Sequence, residues 1–157
     1  MEVRVKINYF IISSIALIAM ALNRYFASHG MIWYKAIKLP FFSPPGWLIG
    51  TVWQIIYVLF TAAVMVVWNK FDRNMQFWLI IILFFINIFL NIYWTYFFFY
   101  QQRIGAATID AIVIEFVVLL LIFLLWPQSP MVSCFLVPYA AWLLFAIFLN
   151  SIIWYIN

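Results

Sequence analysis

Five long apolar runs decide what this chain can become. They cover residues 7–22, 47–68, 77–100, 105–126 and 132–156, and about 20 consecutive apolar residues are what a helix needs to cross a bilayer's hydrocarbon core. The first run is slightly short. Composition agrees: 70% of the 157 residues are hydrophobic and 8% are charged, more apolar surface than a water-soluble domain of this size can hide. The expected fold is all-α: a single domain over residues 1–157, built as a five-transmembrane-helix bundle of a multi-pass protein in a cell membrane.

Charge excludes some partners. The net charge is +4, but the eight basic residues form no stripe, so nucleic acid is not expected as a partner. They read instead as membrane-flanking charge. With five spans, Arg4, Lys6, Lys70 and Arg73 fall on one side, and Arg24, Lys35, Lys38 and Arg103 on the other. That even split leaves the orientation rule silent. The first run also admits a second reading. Arg4 and Lys6 precede it, and Ala19-Met20-Ala21 resembles a signal-peptide cleavage site. Cleavage would leave four spans, and retention as a true helix is the favoured reading.

Three connections, 69–76, 101–104 and 127–131, only reverse the chain, so helices 2 to 5 are expected to pack as sequential antiparallel neighbours. Residues 23–46 are expected to form the one long loop. It carries Trp33-Tyr34, then Pro40, then Ser43-Pro44-Pro45-Gly46. Proline fixes φ and keeps the residue before it out of the α region. A stiff aromatic, basic loop of this kind reads as a lid over a cavity.

Aromatics at span ends (Trp47, Trp68, Trp126, Trp154 and Tyr155) read as interface anchors. Polar groups inside spans are costly and usually face the bundle interior. Asn87 and Asn91 share a face of helix 3, continued by Trp94 and Thr95. They serve either as inter-helix glue or as ligand contacts, and Trp94 favours the second role for Asn91. Trp53 and Tyr57 share a face of helix 2 beside Gln54. Trp142, Ala146 and Leu149 form a stripe on helix 5, with Asn150 nearby. Each aromatic alone reads as core packing. Together they suggest one apolar slot.

Asp110 lies about 8 Å from the Gly105 end of helix 4, near headgroup depth. Glu115 lies near mid-span, and the two are too far apart around the helix to act as a catalytic pair. His29 stands alone in the expected loop and offers haem no good axial ligand. Cys134 is the lone cysteine, read as a small buried hydrophobe with no disulfide partner. No metal cluster, phosphate loop or nucleophile–base pair appears, so no cofactor and no catalytic residue is expected.

These residues together resemble the translocator protein family, also called tryptophan-rich sensory proteins or peripheral-type benzodiazepine receptors. Trp33-Tyr34-Lys35-Ala36-Ile37-Lys38-Leu39-Pro40-Phe41-Phe42-Ser43-Pro44-Pro45 follows the family's first signature, with Trp53 after it. Two positions depart from it: Leu39 stands for a lysine and Phe42 for a tryptophan. Pro138-Tyr139, Trp142, Ala146, Leu149-Asn150, Trp154 and Asn157 match the helix-5 signature at every position, and Asn91 with Trp94-Thr95 matches that of helix 3. The cholesterol-recognition pattern of animal members is absent after Tyr155.

The resemblance implies a homodimeric five-helix bundle that binds porphyrins and benzodiazepine- or isoquinoline-type ligands under the first loop. It ties the chain to tetrapyrrole handling and stress responses. The candidate ligand-binding set is Trp33, Tyr34, Pro44, Trp53, Tyr57, Asn91, Trp94, Thr95, Asp110, Trp142 and Ala146. Arg24, Lys35 and Lys38 are expected to meet porphyrin carboxylates. Three functions compete: a receptor or carrier, a light- and oxygen-dependent porphyrin-degrading enzyme using Trp33, and a transporter of lipids or hydrophobic molecules. Small residues that could seat a close helix contact are Gly46 and Gly50, expected to pack helix 2 within its own bundle, and Ala107 with Ala111.

Overall fold

A computed structural model describes residues 7–157; Arg4 and Lys6 lie outside the described residues. The order is α1 (Ile7–Ala36), α2 (Gly46–Lys70), α3 (Met75–Thr95), a π-turn (Tyr96–Tyr100) that continues α3, α4 (Ile104–Leu125) and α5 (Pro130–Ile156). α1, α2, α3 with its π-turn, α4 and α5 are each long and apolar enough to cross a membrane.

The first expectation to fail is the loop. Residues 23–36 are helical, so α1 runs for 30 residues and the connection shrinks to residues 37–45. The apolar run does end at Asn23, but polarity ends a membrane span, not a helix. No proline interrupts the chain before Pro40, and the added turns have a surface to pack on. Gly30 is seated on the π-turn so closely that a Cβ there would lie 2.3 Å from the Phe99 carbonyl oxygen. Only glycine permits that approach. Trp33 and Tyr34 then reach Phe98, with ring centroids 5.7 and 6.0 Å away. His29, expected on the loop, lies on α1 between the rings of Tyr25 and Tyr100.

The remaining connection is tied to the far end of the chain. Lys38 donates its backbone N–H to Asn157 Oδ1 at 2.9 Å, and Asn157 Nδ2 donates to the Lys38 carbonyl at 3.0 Å. Phe42 stacks on Phe148 of α5 at 5.8 Å. The chain then enters α2 from an extended Pro45.

The helices do not pack in simple sequence order. α4 lies between α3 and α5, and α2 leans on α5. The α2 and α3 backbones meet at few points, joined through rings such as Phe60–Phe84 at 5.1 Å. This corrects the expectation of sequential neighbours, because a short α2–α3 connection fixes direction but not contact. At that connection Asn74 caps α3 by accepting from the Phe77 N–H at 2.8 Å. Arg73 stacks over Trp68 and Phe77 at 4.4 and 4.2 Å.

The main core is formed by α2 to α5 around Val67, Phe77, Ile80, Phe84, Val118, Leu121, Leu136 and Leu143. Ala107 and Ala111 are buried inside the bundle, and Gly105 makes room for the Trp154 indole between α4 and α5. Gly46 and Gly50 behave differently: both are exposed, and a Cβ on either would meet no atom within 4 Å. They do not pack α2 into its own bundle. Cys134, expected to be buried, is exposed, since it lies on the face of α5 opposite the buried Val132, Leu136 and Tyr139.

Candidate functional site

Where α2 stands off from α3, α1 covers the gap without filling it. The result is a cavity of about 510 Å³, within the range of small-molecule sites. Its walls come from α1, α2, the α3–π-turn segment and α5. No residue of α4 or of the 37–45 connection lines it.

Aromatic rings form the inner walls. Trp53 of α2 lies 6.3 Å from Trp94 of α3 and 5.9 Å from Tyr139 of α5. Trp94 stacks on Phe98 at 5.3 Å with planes 14° apart. On the opposite wall Trp142 packs on Phe145 at 5.4 Å, with Ala146 leaving space beside them.

A polar spine ties four helices together at one edge of this chamber. Asn91 Oδ1 accepts from Tyr57 OH at 2.8 Å and from Asn23 Nδ2 at 2.9 Å. Asn23 Nδ2 also donates to Tyr57 OH. Asn91 Nδ2 donates to Tyr139 OH at 3.2 Å, and Tyr139 OH donates to Asn87 Oδ1 at 3.2 Å. Asn91 therefore lines the cavity with its amide committed to protein. Hydrogen bonds between membrane helices are each worth about 0.6 kcal/mol on average, so the spine holds position more than it adds stability.

Other polar groups on the walls have no partner among the described residues. The indole N–H groups of Trp94 and Trp142, the Asn150 amide nitrogen and Asn23 Oδ1 are all buried and unbonded. A desolvated donor without a partner costs about 1–3 kcal/mol. Three of these four groups are donors.

Of the expected ligand-binding set, Tyr34, Trp53, Tyr57, Asn91, Trp94, Thr95, Trp142 and Ala146 share this cavity. Thr95 turns its hydroxyl back to the Asn91 carbonyl at 3.3 Å. Three residues fall elsewhere. Trp33 lies one ring behind the wall, against Phe98. Pro44 belongs to a connection that does not reach the cavity. Asp110 is buried on α4, away from it, with Oδ2 unpartnered. Its depth suggested contact with water, but the neighbouring helices cover it. Lys35 and Lys38 also lie off the wall, whereas Arg24 lines it. Sequence reasoning missed Asn23, Phe98 and Phe99 and left Asn150 outside the set. The available signal for Asn23 was the lack of any helix breaker after it.

Five membrane-crossing helices around an aromatic chamber define a multi-pass membrane protein. The particular lineage follows from comparison: residues 10–155 match the TspO/MBR family, and the chain belongs to it. It is similar to the tryptophan-rich protein TspO of Archaeoglobus fulgidus, 34% identical over 80% of each chain. The protein of the same name from Bacillus cereus is 32% identical over 80% of each. The human translocator protein is 26% identical over 84% of this chain and 79% of its own length.

Proposed function

We propose that this protein is a membrane receptor or carrier for protoporphyrin-like tetrapyrroles and for benzodiazepine- or isoquinoline-type ligands, held in the aromatic cavity. The supporting observation is that flat walls at Trp53, Trp94 and Trp142 share one cavity with the Arg24 guanidinium. A flat macrocycle suits the rings, and its carboxylates suit Arg24. Relatives named translocator protein are consistent with a membrane role.

The degradative and transport readings remain distinct in what they predict. Trp33 lies behind Phe98 rather than on the wall, so the indole that the degradative reading uses does not line the cavity. Titration of purified protein with protoporphyrin IX, in the dark and under light, separates the three. Saturable tryptophan quenching with an unchanged porphyrin spectrum is expected. Protein-dependent loss of the porphyrin band would replace binding with breakdown, and accumulation against a gradient in vesicles would replace it with transport.

A further inference from the structure

The cavity is not walled evenly. Its α3 and α5 walls are buried or half-buried, while cavity residues on two facing helices are exposed: Ala21, Arg24 and Met31 on α1, and Gly46, Gly50 and Gln54 on α2. Residues that both line a cavity and lie open mark its mouth. The connection of residues 37–45 contributes nothing to the lining, so it does not stand across that mouth. The three α2 positions are four apart, one above another on a single face. At 1.5 Å per residue they run about 12 Å inward from the start of α2, from headgroup level into the hydrocarbon. Two of the three are glycines whose missing Cβ would meet nothing within 4 Å. No packing among the described residues requires a glycine there, and what the two glycines leave is an opening.

We infer that the gap between α1 and α2 is a lateral portal through which a membrane-dissolved ligand passes directly between the bilayer and the cavity, with Gly46 and Gly50 keeping it open. Arg24 and Gln54 at its rim give the carboxylates of an amphiphilic ligand a polar station while its apolar body slides through. This chemistry fits a flat apolar molecule with a few acidic groups, which concentrates in the membrane before it reaches the protein. The inference rests on the ligand reading proposed above, because a portal needs a cavity that is used.

The test compares two routes by exchange kinetics of protoporphyrin IX, followed by tryptophan quenching in stopped-flow on full-length protein in nanodiscs. Gly50→Leu narrows the side opening into space that is empty in the chain, and Asn157→Ala frees the 37–45 connection by removing both bonds to Lys38. A side portal predicts association and dissociation slowed together, tenfold or more, in Gly50→Leu, with Asn157→Ala at wild-type rates. Unchanged rates in Gly50→Leu with faster exchange in Asn157→Ala would overturn the portal and place access under the connection. Faster dissociation alone in Gly50→Leu would also overturn it, since Gly50 would then be wall rather than doorway. Failure of the wild-type protein to bind would instead sink the ligand reading, leaving the two failures distinguishable.

Discussion

At the scale of single residues, burial and partners separate side chains that look alike in the sequence. Asn87, Asn91 and Asn150 are all buried amides, yet Asn91 spends its bonds on three other side chains while the Asn150 amide nitrogen has none. Asn91→Ala leaves Asn23, Tyr57 and Tyr139 short of partners at once. It is expected to lower thermal stability as well as affinity, measured by melting in detergent beside ligand titration. A double-mutant cycle of Asn23→Ala with Asn91→Ala should return a coupling of about 0.5–2 kcal/mol; strict additivity would mean the spine is not a unit. Charge follows the same logic. Arg24 is the basic residue on the cavity wall, while Lys35 and Lys38 are not. Arg24→Gln should therefore weaken protoporphyrin binding and flatten its salt dependence, and the Lys35→Ala/Lys38→Ala pair should leave both near wild type. The reverse result would return the carboxylates to the connection.

At the scale of elements, the α1 C-terminal half is the part the sequence hid. The length of the apolar runs located all five spans because each must satisfy its backbone within lipid. It could not see that α1 continues past Asn23, because what holds those turns is tertiary: Gly30 pressed on the Phe99 backbone, and rings reaching Phe98. Gly30→Ala is predicted to push α1 off the π-turn, lowering the melting temperature and ligand affinity together. Gly50→Ala, with open space around it, should melt at wild-type temperature or higher, since alanine favours the helix by about 1 kcal/mol. A Gly30→Ala protein that melts as high as Gly50→Ala would mean that helix propensity, not the seat on Phe99, governs Gly30. The inward faces of α2, α3 and α5 were legible for a simpler reason. Residues four apart on a helix stay on one side, so Trp53 with Tyr57, Asn91 with Trp94-Thr95, and Trp142 with Ala146 kept their grouping on folding. Pro44 and Asp110 did not follow, because depth and sequence nearness say nothing about which helix stands between a residue and the cavity.

At the scale of the whole molecule, a loosely covered chamber inside a well-packed bundle divides the labour. α2 to α5 form the core, and α1 contributes few buried residues, chiefly Ala19 and Gly30. We propose a homodimer that leaves the α1–α2 gap free and is built on other outer faces, such as the exposed Trp78, Phe85, Phe89 and Tyr93 stripe of α3. Crosslinking or light scattering should then show dimers for wild type and Gly50→Leu alike; loss of the dimer in Gly50→Leu would move the contact to α2. The central claim is that the aromatic chamber, not the tryptophan-rich surface, holds the ligand. Its most direct test is the protoporphyrin IX affinity of Trp142→Ala beside that of Trp126→Ala, an exposed indole at the end of α4. Truncating a buried anchor costs about 2 kcal/mol, roughly a 30-fold loss of affinity. That loss is expected for Trp142→Ala with native helical circular dichroism, and a change within about twofold for Trp126→Ala. Equal affinities in the two variants would contradict the account.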